Sequence, residues 1–277
     1  MSNKSSLKPH NLCKITNVST GEVWMQVRKH AQEIAESEPQ LRALLYDVVL
    51  NRSCLGEALA FRLSRKLSRE EMNRHELTPL LVGIFVNQPR VTQSAAADMI
   101  AIFERDPACK SPLEPMIFFK GFMAISTYRV AHHLWHSGRR PLALYIQSIC
   151  SEIFGVDIHP AASIGCGLLL DHATSIVIGE TAIVEDNVSI LHEVTLGGTG
   201  KATGDRHPVV RSGVLIGAGS KILGRVEIGR CAKVGAGSVV LADVPEHVTV
   251  AGVPAKIRGR ANTPAMDMNQ CFESGQI

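Results

Sequence analysis

The sequence has no C-x-x-C pair. Its seven cysteines are scattered at Cys13, Cys54, Cys109, Cys150, Cys166, Cys231 and Cys271, and their number is odd. A disulfide framework and a cysteine-built zinc site are therefore not expected, and a reducing compartment fits better. Charge of one sign is lacking too. Lys and Arg number 29 against 26 Asp and Glu, a net charge of +3, with no cluster of basic residues interleaved with aromatics. A nucleic-acid surface is not indicated. The longest apolar stretch, residues 141–156, is broken by Gln147, Ser148, Ser151 and Glu152. It is too short and too polar to cross a bilayer. No secretory leader is visible at the N-terminus either, so the expectation is a cytoplasmic globular protein.

What is present divides the 277 residues into unlike parts. Residues 1–20 are polar and aperiodic and read as a disordered leader. Residues 21–156 carry helical spacing. Leu41, Leu44, Leu45, Val48 and Val49 fall on one helical face. A longer helix is expected from about 114 to 137, stopping at Gly138, and another from Pro141 to about Gly155. From Asp157 to about residue 260 the chain turns rich in Ile, Val and Gly. Residues 261–277 hold few apolar side chains and read as a mobile tail. The fold class expected is α + β, an all-α domain followed by a left-handed parallel β-helix and a flexible tail.

The β-helix rests on a repeat of six. Ile158, Ile164, Leu170 and Ile176 are six apart. After a slip of two residues so are Ile178, Val184, Ile190 and Leu196, and after a longer break so are Val210, Ile216, Ile222, Ile228, Val234 and Val240. One short strand and one turn per hexad close a triangular coil in three hexads, with the apolar residue pointing into the prism. A sandwich of short strands would not hold so regular a phase, because its loops vary in length.

The break from Leu196 to Val210 spans 14 residues instead of six. It reads as a loop ejected from the scaffold, where function tends to sit. The polar residues able to do chemistry gather around it: Asp157 and His159, Asp171 and His172, then Asp205, Arg206 and His207. Allowing for the slip, His192 lies one coil after His172, so that Asp157, His172 and His192 can share an edge. A histidine beside a carboxylate is the arrangement of a general base. With no Ser or Cys placed as nucleophile, direct transfer to a bound acceptor is indicated. Arg206 and His207 suit a carboxylate and Asp171 an ammonium, together an amino-acid pocket. Gly217-Ala218-Gly219 and Gly235-Ala236-Gly237 are 18 residues apart and stack on consecutive coils. They leave either a groove with exposed backbone for a long thin ligand or simply tight corners. His132, His133 and His136 have metal-like spacing, but a helix-end surface explains them better.

The segments Asp157-Ile-His-Pro, Leu170-Asp-His-Ala, Val194-Thr-Leu-Gly-Gly-Thr-Gly-Lys201 and Gly204-Asp-Arg-His-Pro208 resemble those of bacterial and plant serine acetyltransferases. Arg105-Asp-Pro-Ala108 and Arg139-Arg140 in the helical half match as well, and the resemblance covers about residues 21–277. It implies acetyl transfer from acetyl-CoA to the hydroxyl of L-serine, the first step of cysteine biosynthesis from serine, without a metal. It implies His172 as general base with Asp157 as its partner. Asp106 and Asp171 would hold the substrate amine, and Arg206 and His207 its carboxylate. Gly198, Ala218, Lys233 and Ala236 would hold CoA. Also implied are trimers with sites between neighbours, pairing of trimers through the helical domains, and feedback inhibition by L-cysteine. A further implication is docking of the tail, through Ile277, into O-acetylserine sulfhydrylase.

Three other readings compete. An acetyltransferase of the same scaffold could use a different acceptor, against which the Arg206–His207 pair argues. A γ-type carbonic anhydrase would hold zinc with imidazoles such as His159, His172, His192 and His207, leaving the helical half and tail unexplained. A non-catalytic scaffold would use the tail alone.

Overall fold

The computed structural model describes residues 18–200 and 203–270. Most of the expected leader, the loop residues Lys201 and Ala202, and the end of the tail with Ile277 lie outside them.

The helical part opens with α1 (Thr20–Ser37), capped by the Ser19 side chain, which accepts from the Glu22 N–H. α2 (Pro39–Leu45) runs into a π-helical turn at Tyr46–Leu50, and Leu45, Val48 and Val49 are buried, as their spacing requires. α3 (Leu55–Leu67), α4 (Arg74–Asn87) and α5 (Pro89–Arg105) follow. The helix expected from about 114 is two, α6 (Leu113–Phe118) and α7 (Lys120–His136), broken at Phe119, whose backbone is extended. The break sets Gly121 flush against the β-helix. A Cβ there would lie 2.0 Å from the Leu170 carbonyl oxygen, so only glycine lets the two surfaces meet. α8 (Arg140–Phe154) ends at Gly155 in the left-handed conformation at φ 64°.

The rest is a parallel β-helix of three sheets. The first holds β1 (Val156–Ile158), β4 (Ile176–Ile178), β7 (Thr195–Gly197), β10 (Lys221–Leu223) and β13 (Val239–Val240). The second holds β2 (Ser163–Ile164), β5 (Ile183–Val184), β8 (Val209–Val210) and β11 (Glu227–Ile228). The third holds β3 (Leu169–Leu170), β6 (Ser189–Ile190), β9 (Leu215–Ile216), β12 (Lys233–Val234) and β14 (Val248–Ala251), closed by antiparallel β15 (Lys256–Arg260). Of the hexad residues only Ile164 is partly exposed; the others are buried. Each contributes about 1.5–3 kcal/mol of apolar burial.

Register translates the sequence breaks into geometry. Ile158 faces Ile178, Ile178 faces Leu196, Leu196 faces Ile222 and Ile222 faces Val240. The slip of two residues is a bulge in the corner between the third and first sheets, at residues 171–175. The long break is a loop leaving the corner between the first and second sheets. The two insertions sit at different corners of the prism.

One apolar core runs through both parts. At the seam Arg129 of α7 donates to Asp98 of α5 (2.9 and 2.5 Å) and to the Gly165 carbonyl (2.9 Å), while the other Asp98 oxygen accepts from the Leu168 N–H (2.9 Å). His132 belongs to the seam too. Its Nδ1 donates to the Pro160 carbonyl at 2.8 Å, which corrects the expectation of a helix-end surface.

The tail does not leave at residue 261. Ala261, Pro264 and Ala265 are buried, α9 (Pro264–Asp267) returns against the third sheet, and Ser189 donates to the Ala265 carbonyl at 2.9 Å. Met266 packs on Ala97 and Ala101 of α5. Few apolar residues suffice here because the surface that receives them is already formed.

Candidate active site

The two-residue bulge carries the candidate base. His172, Ala173 and Ser175 have φ of 54°, 57° and 60°. Three non-glycine residues in the left-handed region within four positions store strain of the order of 1–3 kcal/mol each, a pattern found at functional sites. Lys120, the first residue of α7, donates to the Thr174 hydroxyl at 2.5 Å and braces the bulge. The His172 side chain stands 77% exposed, with Nε2 at 3.8 Å from Asp171. The His192 ring meets it edge-on, with centroids 5.9 Å apart. His192 Nδ1 is buried without a hydrogen-bond partner among the described residues.

Asp171 is half-buried, and burial raises its carboxyl above the usual range. Asp106 nearby, at the end of α5, pushes the same way, while His172 and His192 pull against them. Two neighbouring carboxylates, one of them partly desolvated, are relieved by an ammonium between them.

The coil register extends this corner into a ladder. With Leu170 opposite Ile190, Ile190 opposite Ile216 and Ile216 opposite Val234, the residues His172, His192, Ala218 and Ala236 occupy one position in four successive coils. The Gly219 N–H donates to the His192 carbonyl (2.9 Å) and the Gly237 N–H to the Ala218 carbonyl (2.7 Å). The Gly-Ala-Gly pair has two roles. A Cβ at Gly217 would lie 2.6 Å from the Ala236 nitrogen, so this glycine makes a tight corner. Gly237 has nothing within 4 Å of such a Cβ and Ala236 is exposed, which leaves the backbone open to a ligand.

Arg206 and His207 sit at the other corner, between the first and second sheets. Glu180 and Thr181 of the coil below hold them. Arg206 Nη2 donates to Glu180 at 2.7 Å, and the N–H groups of Arg206 and His207 donate to the Thr181 hydroxyl at 3.0 and 3.2 Å. His207 Nδ1 accepts from the Thr181 N–H at 3.1 Å and faces its hydroxyl at 2.9 Å, so the proton of the neutral ring is on Nε2. Burial and the adjacent Arg206 depress the His207 pKa and keep it in that neutral form. The ring lies over Gly179, where a Cβ would be 2.0 Å from Nε2.

Asp157 belongs with this second group. It points outward from β1 between buried Val156 and Ile158, and Gln147 of α8 donates to its Oδ1 at 2.6 Å. Its charge acts on His159, as do those of Glu180 and Arg206. The structure thus brings Asp106, Asp171, His172 and His192 together at one corner. At the next it gathers Arg206, His207 and, on the adjoining face, Asp157. His172 and Asp157 are not paired within one chain. Gly198 lies near Arg206, and Lys233 is buried on the third sheet, so neither shares the corner of Ala218 and Ala236. Reading the sequence did not single out Gln147, Glu180 or Thr181. For the last two, their place one coil below the ejected loop is the only signal.

Residues 23–127 match the family model for the N-terminal region of serine acetyltransferase, and residues 207–242 that for the bacterial transferase hexapeptide. The serine acetyltransferase of Haemophilus influenzae is 49% identical over 255 residues, covering 91% of this chain and 96% of its own length. A solved serine acetyltransferase in complex with cysteine superposes with a TM-score of 0.90 at 48% identity, over 92% of this chain and all of that one. The Brucella abortus serine acetyltransferase in complex with coenzyme A gives 0.86 at 47% identity, over 91% of this chain and all of that one.

Proposed function

The chain belongs to the serine acetyltransferase family, and from that premise we propose how its residues divide the work. The protein transfers acetyl from acetyl-CoA to the hydroxyl of L-serine, giving O-acetyl-L-serine and CoA. The ladder from His172 to Ala236 carries this reading, because it joins a base, a carboxylate pair and an open run of backbone on one edge. The amine of serine sits between Asp106 and Asp171, and its carboxylate on Arg206 and the Nε2–H of His207. His172 takes the hydroxyl proton as the oxygen attacks the thioester carbonyl, and returns a proton to the departing thiolate. The arm of CoA lies along Ala218 and Ala236, with Gly198 and Lys233 as further contacts. Neither an alternative acceptor nor the carbonic anhydrase reading finds support in the relatives.

The amine and carboxylate groups are on different corners, so a complete site takes one corner from each of two copies. A trimer around the β-helices provides three such clefts, with Asp157 of one copy orienting His172 of the next. Pairing of trimers through the helical domains is supported by exposed Met25 and Val86. L-cysteine, which shares the amine and carboxylate of serine, competes for the same clamps and acts as feedback inhibitor. Among the described residues no helix is long and apolar enough to cross a membrane, and we place the enzyme in the cytoplasm. Ile277 docks into O-acetylserine sulfhydrylase; peptides of residues 268–277 with and without Ile277 test this, equal binding of both ruling it out. Thiol release from acetyl-CoA with L-serine, measured beside a panel of sugars and amines, tests the activity. Faster turnover of an acceptor without a carboxylate overturns the assignment.

A further inference from the structure

Asp157 has a neighbour whose chemistry the reaction does not itself require. Gln147 is a neutral amide in the next-to-last turn of α8, ten residues before Asp157 in the chain, and its Nε2 reaches Asp157 Oδ1 at 2.6 Å. The two line an open groove of about 490 Å³ with Leu144, Ser148, Ser151 and Glu152. α8 is a firm platform, since Ala143, Ile146, Ile149, Cys150 and Phe154 along its other face are buried. β1 is equally fixed, hydrogen-bonded to β4 in register. The contact therefore joins two rigid elements, and the Asp157 carboxylate cannot turn without breaking it.

A carboxylate that orients an imidazole must present one oxygen in one direction. On a free side chain the terminal torsion is broad and two-fold, so the oxygens exchange. An amide donor on Oδ1 removes that freedom and leaves Oδ2 for the ring. Being uncharged, it adds no cation to compete with the imidazolium that forms during proton transfer. A lysine or arginine in its place would satisfy the carboxylate at the expense of that charge. Gln147 is suited to this task, with its amide already committed to Oδ1.

We infer that Gln147 is a positioning residue of the reaction, acting through Asp157 by holding its carboxylate in the rotamer that receives the base. The inference rests on the reading of Asp157 given above. Its test is a double-mutant cycle in the full-length enzyme. Gln147→Leu, which keeps the bulk and loses the donor, and Gln147→Asn, which keeps the amide and loses the reach, should each lower kcat about tenfold, the usual scale for a supporting partner. KM for serine and for acetyl-CoA should stay within about twofold. In an Asp157→Asn background, itself lowered further, the same changes should cost less than about twofold. Ser151→Ala in the same groove should leave kcat unchanged. Circular dichroism and elution volume show that each variant is folded and assembled. Loss of turnover in Asp157→Asn with none in either Gln147 variant overturns the inference and leaves the reading of Asp157 standing. Full additivity of the two losses assigns Gln147 a merely structural part and also overturns it. Wild-type turnover in Asp157→Asn overturns both.

Discussion

The two corners of the prism reach their geometry by opposite means. At the His172 corner the backbone does the work: two extra residues force three left-handed conformations within four positions and throw the imidazole into solvent. At the Arg206 corner the chain makes a longer excursion from the coil, and side chains do the work. Thr181 and Glu180 tie the returning loop down, and His207 is buried over a glycine. The first corner is pre-shaped by local strain and the second by tertiary hydrogen bonds. Removing the imidazole at the first should therefore change chemistry, and removing the guanidinium at the second should change affinity.

The strongest way to break this contrast is His172→Ala. Turnover should fall about 10²–10⁴-fold while CoA binding is unchanged, measured by thiol release and by calorimetry. Arg206→Ala comes next. Losing hydrogen bonds from a charged donor costs about 1.5–3 kcal/mol, so KM for serine and the inhibition constant of cysteine should rise together by roughly 10–150-fold. A change in one without the other would show that the two ligands do not share the clamp. Mixing these two variants, assayed at serine far below the raised KM of Arg206→Ala so that neither turns over appreciably alone, sharpens the comparison further. If each site takes one corner from each of two copies, random reassembly should restore about a quarter of the sites, and separate assembly none. Gly179→Ala should follow Arg206→Ala in direction by displacing the His207 ring, with a smaller rise in KM and nearly constant kcat.

The smallest expected effect is the pH dependence of serine binding. Burial and Asp106 raise the Asp171 carboxyl, so it takes up a proton at higher pH than an ordinary carboxylate. Below that point the ammonium loses a counter-charge, and KM for serine should increase as pH falls. In Asp171→Asn KM should be high and flat across the same range. An unchanged slope there would assign the titration to another group.

The repeat made the scaffold legible, because a period of six leaves each hexad one inward residue and all but Ile164 are buried. It made His172 and His192 legible as a stacked pair, since the slip between the hexads is the bulge itself. Other features depend on how separate elements dock. Gln147 and Asp157 meet only because α8 lies on β1, and no periodicity links them. The break at Phe119 answers to the surface around Leu170 that Gly121 must meet. The return of residues 261–268 depends on a third sheet already built, so composition alone, which made the tail appear free throughout, could not reveal it.

The coil register also makes the His172 edge a ruler. Rungs of a parallel sheet are spaced by about 4.8 Å, so three steps separate His172 from Ala236 by about 14 Å. That length is fixed by backbone hydrogen bonds and no loop can adjust it. Under the proposed division of work a donor should be sorted by reach as well as by chemistry: a thioester on a short thiol such as cysteamine would cover the first rung and leave the open backbone at Ala218 and Ala236 unused, whereas one carried on a long arm would engage every rung while its acyl carbon stays at the proposed base.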